Sequence, residues 1–388
     1  MAPSLITQRL IAPRLISNPP NPYHRYSTEW LDVPPPANLT VYEEQAKSIL
    51  SRNDSPDIGF EFSVNPYRGC FHSCAYCYAR PTHQYLDFGA GTDFERRIVV
   101  KINAANLLAR EFAKRSWNRS TVTFSGVTDC YQPLEGSYEI TRQCLQVCAD
   151  YQNPVTIITK GALIRRDIDV LQTLQKSAAV HVYLSVAFSN DAHARKLEPN
   201  APRPSTRFRV MRELADAGIP VSLGLAPVIP GLNDREIPDI LSRAKDAGAQ
   251  SAFMTLLRLP KEVKTVFIER LKAEFPERQK KVLAHITAAR NGALNNADFG
   301  ARMRGEGALW EAIHWIFESN CKALGLHRPR HAVRSGDETA GKARSEAGTN
   351  KQAKDRKVKD WSRGTPPQRK TPELPSSPGP LFEFREGK

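Results

Sequence analysis

Between residues 60 and 257, short β-branched or aliphatic runs alternate with helical patterns, and this alternation limits what the chain can become. Runs at 60–64, 98–102, 121–124, 155–159, 180–186, 221–225 and 252–257 are each strand-length, and helix-like segments at 104–114, 138–151, 166–175, 205–217 and 235–247 stand between them. Two parallel strands need a crossover long enough to hold a helix, so a strand–helix repeat of about 30 residues predicts βαβ units and a parallel sheet. An open or closed α/β barrel is the expected fold class, with a doubly wound sheet as the alternative arrangement. After Pro260 the pattern changes to helices only, at 261–275, 277–290 and 308–324.

The flanks read differently. Residues 1–58 are expected to form an irregular Pro-rich N-terminal arm, 59–260 the barrel, 261–326 a C-terminal helical cap, and 327–388 a disordered basic tail with too few aliphatic residues to offset its ordering entropy. A short apolar cluster at 380–384, with Leu381, Phe382 and Phe384, interrupts that tail and reads either as a peptide dock or as a terminus of no consequence. The net charge of +14 favours a polyanionic partner such as nucleic acid, but from His327 onward 15 Lys and Arg stand against 8 Asp and Glu, so half of the excess lies in the tail. No run approaches the roughly 18 apolar residues of a membrane span, so no membrane association is expected and the cytoplasm is the expected location. The first 26 residues hold Arg9, Arg14 and Arg25 and no acid, which is also transit-peptide composition.

The densest chemistry lies in NPYRGCFHSCAYCYAR, residues 65–80, where Cys70, Cys74 and Cys77 fall at Cys-x3-Cys-x2-Cys spacing directly after a predicted strand. Three thiolates can bind three irons of a four-iron cluster and leave the fourth open to a substrate, whereas electron-transfer clusters use four. A structural zinc site completed by His72 or His83 is the alternative reading of the same residues.

GCFHSCAYC resembles the cluster motif of the radical S-adenosylmethionine (SAM) superfamily. That resemblance implies a partial (β/α)6 TIM-type barrel with a C-terminal helical extension. It further implies a [4Fe-4S] cluster on Cys70, Cys74 and Cys77 whose free iron chelates SAM, an electron donor such as flavodoxin or ferredoxin, and release of a 5′-deoxyadenosyl radical. Five further segments, SGVTDCYQPLE from Ser125, ITKG from Ile158, LSVAFSND from Leu184, KLEPNAPRPSTRFRVMRELADAGIP from Lys196 and APVIPGLND from Ala226, resemble the group related to spore photoproduct lyase. The likeness spans about residues 59–260 and makes damaged DNA a candidate substrate.

Carried over onto this chain, the resemblance sets Tyr76 against the SAM adenine. It makes Ser125, Lys160 and Ser185, at the ends of the second, third and fourth barrel strands, candidates to hydrogen-bond SAM, and it places Glu198 and Arg207 beside the cofactor pocket. Thr128, Asp129, Tyr131, Gln132 and Glu135 would face SAM or substrate; aspartate in such a loop also forms side-chain turns with its own backbone. In spore photoproduct lyase a cysteine after strand two works with the tyrosine that follows the cluster motif to return a hydrogen atom to the product. Tyr78 is the matching tyrosine, but Gly126 holds the cysteine position, and the nearest thiol is Cys130. Tyr78 and Cys130 are therefore the candidate catalytic residues. Cys144 and Cys148 lie with Ile140 and Tyr151 at helical spacing and read as core.

Two rival functions remain at this point, a radical SAM enzyme on a non-DNA substrate and a zinc-stabilised nucleic-acid-binding module. No G-x-x-x-x-G-K-[ST], H-E-x-x-H or G-x-S-x-G motif is present, so phosphoryl transfer, zinc proteolysis and serine hydrolysis have no support.

Overall fold

A computed structural model describes residues 39–327. The Pro-rich run at 19–36, the transit-like composition of the first 26 residues and the basic tail with its cluster at 380–384 lie outside the described residues. Ten strands form two sheets among the described residues. The larger has the order β10-β9-β8-β7-β6-β3-β2, built from β2 (Leu50–Arg52), β3 (Phe62–Val64), β6 (Val122–Phe124), β7 (Val155–Thr159), β8 (Val180–Ser185), β9 (Val221–Val228) and β10 (Ser251–Leu256). Every pairing from β3 to β10 is parallel, and β2 joins the edge antiparallel to β3. These six parallel strands with helical crossovers make the α/β barrel expected from the alternation, in the partial (β/α)6 form that the resemblance implies.

Most of the parallel strands are buried, as parallel sheets favour, though Thr156 and Ile158 of β7 and Phe253, Met254 and Thr255 of β10 are half-buried. Val155 and Ile157 of β7, Val180, Val182 and Leu184 of β8, and Val122 and Phe124 of β6 belong to the main core under the outer helices. Residues of opposite parity line the inner face, because side chains alternate across a strand. That parity gives the inner, C-terminal ends of β6, β7 and β8 to Ser125, Lys160 and Ser185 in turn.

The run at 98–102 does not enter the barrel. It forms β5 (Arg97–Lys101), paired parallel to β1 (Thr40–Glu44) and antiparallel to β4 (Tyr67–Arg68) in a separate three-stranded sheet. A fully buried apolar strand looks the same from sequence whichever sheet receives it. Here its partners are set by the cluster segment, since β4 opens that segment and Cys70 donates its amide to the Phe94 carbonyl at 2.9 Å. The stretch read as an irregular arm through residue 58 likewise holds β1, whose partner β5 lies far along the chain, and the short β2, which pairs with the next strand, β3.

Beyond β10 the described chain is helical at Val263–Glu274, Gln279–Ala288 and Gly307–Leu324. These helices share cores with the barrel: Trp310, Ile313 and Phe317 pack into the main core, while Val263, Phe267, Leu271, Val282 and Ile286 join a second core with Cys74, Ala75 and Tyr76. Burying a side chain the size of Phe267 is worth about 2–3 kcal/mol, so the helices fasten the cysteine loop as well as cover it. The open side between the sheet's two edges is bridged by Arg302, which donates to Asp57 and Ser55 of the β2–β3 connection.

Candidate functional site

The cysteine loop leaves β4 through Gly69, whose φ of +77° suits glycine, and a Cβ there would lie 2.9 Å from the Phe94 carbonyl. Cys70 and Cys74 are buried and Cys77 is partly exposed. Short local turns shape the loop: Ser73 donates its amide to the Cys70 carbonyl, Cys77 to that of Cys74 and Arg80 to that of Cys77. Two longer-range residues clamp it. Arg80, fully buried, donates Nε and Nη2 to the Cys74 carbonyl at 3.1 and 2.8 Å and Nη1 to the Ala90 and Gly91 carbonyls at 3.1 and 3.0 Å, and it pairs with Glu95. Gln132, in the loop after β6, accepts the Phe71 amide at 3.0 Å and donates to the Gly69 carbonyl at 3.2 Å.

Burial pushes all three thiols up, and at Cys70 the Asp129 carboxylate adds to it. Lys160 and Arg207 pull Cys74 the other way, as Arg80 does Cys77. Buried thiols of this kind release their protons to a metal that binds the sulfurs, and the surrounding cations suit an anionic cluster. The histidines that would complete a zinc site point elsewhere: Nδ1 of His72 lies 3.3 Å from Asp129, and the His83 ring packs against Phe88 and Phe94. Among the described residues no three His, Cys, Asp or Glu side chains converge to hold a single metal ion. The clamped loop offers three cysteine sulfurs, the donor number that fits a four-iron cluster with one iron left without a protein ligand.

Beside this loop a buried polar group gathers Tyr76, Glu198 and Arg207. The Tyr76 hydroxyl donates to one carboxylate oxygen of Glu198, and Arg207 Nη2 donates to the other. Arg207 also gives Nε to the Pro202 carbonyl at 2.7 Å and Nη1 to that of Ser185 at 3.0 Å. Burial opposes ionisation of Glu198, but Arg207 and Lys160 outweigh it and hold the carboxyl below its usual range. The Lys160 ammonium sits 5.7 Å from the centre of the Tyr76 ring, with its charged form favoured by Cys74 and Glu198 against burial. Tyr76, Lys160, Ser185, Glu198 and Arg207 are thus brought together next to Cys74.

The loop after β6 turns inward on itself. Ser125, at φ +83°, accepts the Cys130 amide on its hydroxyl at 3.1 Å. Asp129 accepts the Tyr131 amide at 2.9 Å, the Thr159 hydroxyl at 2.5 Å and the Lys160 amide at 2.7 Å. Burial works against its charge, but His72 and these donors keep it ionised well below the usual range. Its carboxylate therefore ties the ends of β6 and β7 together, the side-chain turn that aspartate forms in such loops. Gly161 follows for a steric reason, because a Cβ there would meet the Tyr131 carbonyl at 2.4 Å. Thr128 donates to the Tyr67 carbonyl at 3.1 Å, Tyr131 to Asp167 at 3.1 Å, and Glu135 accepts the Tyr67 hydroxyl. These side chains face neighbouring segments of the fold.

The two candidate catalytic residues are placed very differently. Tyr78 is 49% exposed, donates its hydroxyl to the Gly126 carbonyl at 2.5 Å and carries the Arg258 guanidinium 5.6 Å from its ring centre. Cys130 has no exposed surface and belongs to the main core with Tyr67 and Cys144, where burial and then Asp129 push its thiol well up. Sequence reasoning missed Arg80, Gln132 as a clamp, Asn65, which accepts the Val127 and Thr128 amides, and Arg258. The arginine three residues past the last cysteine was visible as a charge inside a loop otherwise crowded with apolar residues.

The radical SAM superfamily model matches residues 64–244. An uncharacterized protein of Mycobacterium tuberculosis is 35% identical over 242 residues, 62% of this chain and 71% of that one. A radical SAM Nα-GlyT isomerase of Pseudomonas phage M6 is 26% identical over 255 residues, covering 65% of this chain and 51% of that one. Spore photoproduct lyase, solved with a dinucleoside spore photoproduct, shares the fold with a TM-score of 0.54 at 13% identity over 74% of this chain and 80% of that one. With its cysteine loop, parallel half-barrel and family match, the chain belongs to the radical SAM superfamily.

Proposed function

We propose that the protein is a radical SAM enzyme that acts on a modified nucleobase in DNA, in the manner of spore photoproduct lyase. The observation that carries the first half is the clamped loop, with three buried or half-buried sulfurs next to Tyr76, Lys160 and the Glu198–Arg207 pair. A [4Fe-4S] cluster on Cys70, Cys74 and Cys77 would supply one electron to the sulfonium of bound SAM and so release methionine and a 5′-deoxyadenosyl radical. Tyr76 presents an aromatic face against which an adenine can lie, while Lys160 and Ser185 offer donors on the inner rim. The Glu198–Arg207 pair fixes the Tyr76 hydroxyl and so the orientation of that ring. The second core, with Phe188, Leu257 and Phe267 packed around the loop, excludes water from the place where a radical would form.

Support for a nucleobase substrate comes from the fold shared with a lyase solved on a dinucleoside lesion, from the basic balance of the chain and from Tyr78, an exposed aromatic on the rim. Tyr78 is half-exposed whereas Cys130 lies in the core, so in this reading Tyr78 rather than Cys130 is the side chain that meets a product radical. No helix among the described residues is long and apolar enough to cross a membrane. A reducing compartment such as the cytoplasm, with a flavodoxin or ferredoxin as reductant, suits the seven cysteines.

The test is anaerobic. The protein is reconstituted with iron and sulfide, SAM and dithionite are added, and 5′-deoxyadenosine is quantified with intact DNA, with ultraviolet-irradiated DNA and without DNA. The proposal predicts turnover that Cys74→Ala abolishes and that irradiated DNA stimulates above intact DNA. Turnover indifferent to DNA would remove the nucleobase substrate, and no turnover from a well-formed cluster would remove the enzyme.

A further inference from the structure

Arginines gather on the rim beside Tyr78 without enough acids to balance them. Arg258, just past β10, keeps a buried Nε with no acceptor, and its Nη1 reaches only the Met303 sulfur at 3.7 Å. Arg290 is 5% exposed; its Nη2 donates to the Leu257 and Arg302 carbonyls at 2.6 and 3.1 Å, yet Nε and Nη1 are buried with no acceptor. Arg302 lies 4.5 Å over the ring of Phe299, an aromatic that is 62% exposed. Arg290 and Arg304 line one small cavity with Asn291, Asn296 and Glu306. The carboxylates of Asp57 and Glu306 are already engaged, Asp57 by Arg302 and the Gly300 amide, Glu306 by Asn291.

Leaving guanidinium N–H groups buried and unmet costs free energy. The strain shows in the charges, because burial and then Arg258 push Arg290 down to about 10, and burial and then Arg302 lower Arg258. A planar guanidinium fork matches the oxygens of a phosphate, and an oxyanion would meet the idle donors and the excess charge together. Flanking aromatics with arginines between them are the arrangement that grips a nucleic-acid strand by its backbone and stacks its bases.

We infer that Arg258 and Arg290, with the charge of Arg302 beside them, form a phosphate subsite on the barrel rim, which holds the substrate's backbone phosphate next to Tyr78. The inference rests on the nucleobase reading above and makes it more specific: the enzyme recognises the phosphate adjoining its target base as well as the base. A phosphodiester of a strand and the phosphate monoester of a nucleotide offer the same chemistry, and the experiment separates them.

Binding of a short fluorescein-labelled oligothymidylate to the anaerobically reconstituted protein is measured by anisotropy. Its competitors are the same oligomer, a version with uncharged methylphosphonate linkages, and thymidine 5′-monophosphate. The methylphosphonate strand should compete about tenfold worse or more, and Arg258→Gln should weaken binding about tenfold and lower the salt slope by about one. Stronger competition by the oligomer than by the mononucleotide identifies a diester, and equal competition identifies a monoester; either bears the subsite out. Equal competition by the uncharged strand in the wild type overturns it, as does unchanged affinity in a normally melting Arg258→Gln. The wild-type comparison needs no variant to fold. Formation of 5′-deoxyadenosine by the wild type without nucleic acid reports separately on the radical reading, so failure of either is recognised apart from the other.

Discussion

Replacing Arg80 by methionine removes the side chain that joins the cysteine loop to the segment before β5. Methionine roughly fills the space but offers no donor, so the Ala90 and Gly91 carbonyls lose the Arg80 donor, the Cys74 carbonyl keeps only the Cys77 amide, and Glu95, 5% exposed, loses its ion-pair partner and keeps only the longer-range influence of Arg96. Removing one member of a buried ion pair costs about 3–5 kcal/mol, because the remaining charge is stranded. Each carbonyl left unmet adds about 1 kcal/mol or more, and the total rivals the whole stability of a typical domain, about 5–15 kcal/mol. Arg80→Met is therefore expected to be nearly unfolded without iron. Arg80→Lys keeps the charge but not the planar fork, and should lose about half as much. The decisive variant is Arg80→Met with Glu95→Leu, which takes away the stranded carboxylate and should recover at least about 2 kcal/mol relative to Arg80→Met. Anaerobic urea unfolding followed by circular dichroism gives the stabilities, and iron per chain after reconstitution gives the effect on the loop. Wild-type stability and iron content in Arg80→Met would refute the reasoning, and so would a double variant no better than the single one.

Two more outcomes follow from the same geometry. Gln132→Leu leaves the Phe71 amide and the Gly69 carbonyl unmet at the start of the loop; it should cost about 2 kcal/mol and lower iron retention during gel filtration, whereas Gln132→Glu, which keeps an acceptor for Phe71, should retain more. His83 is buried between Phe88 and Phe94, and burial lowers it from 6.5 to about 4, so the folded protein keeps it neutral over a range in which the unfolded chain takes up a proton. Stability at this site is complete above pH 6.5, declines as pH falls toward 4 and then levels off, a loss of at most about 3 kcal/mol; His83→Leu should flatten that acid limb in urea titrations run across the window.

How far the chain could be read in advance depended on how local each signal was. Period and spacing are local, so the barrel strands and their helices were legible, as were the three cysteines and the core face of Cys144 and Cys148, both fully buried. Pairing is not local, which is why the run at 98–102 passed for a barrel strand and why β1 went unseen, while β2, only three residues long, carries too short a pattern to read. Motif residues were legible as important, but their partners were not. Asp129 spends its carboxylate on Tyr131, Thr159 and Lys160, and Gln132 spends its amide on the cysteine loop. Cys130 shows the limit most plainly. A thiol one loop away from a cluster invites a chemical role, yet the Ser125 hydroxyl takes its amide and the side chain turns into the core. Arg80 and Arg258 carry no motif, and only the fold shows what each one touches.

The central claim is that Cys70, Cys74 and Cys77 hold a cluster with one iron open to SAM. Electron paramagnetic resonance of the anaerobically reconstituted, dithionite-reduced protein, recorded with and without SAM beside iron, sulfide and zinc analyses, tests it most directly. The account predicts about four irons and four sulfides per chain, a reduced-cluster signal whose g values shift when SAM is added, and loss of both signal and shift in Cys74→Ala. About one zinc per chain with no sulfide, or a cluster signal that SAM leaves unmoved, would contradict it.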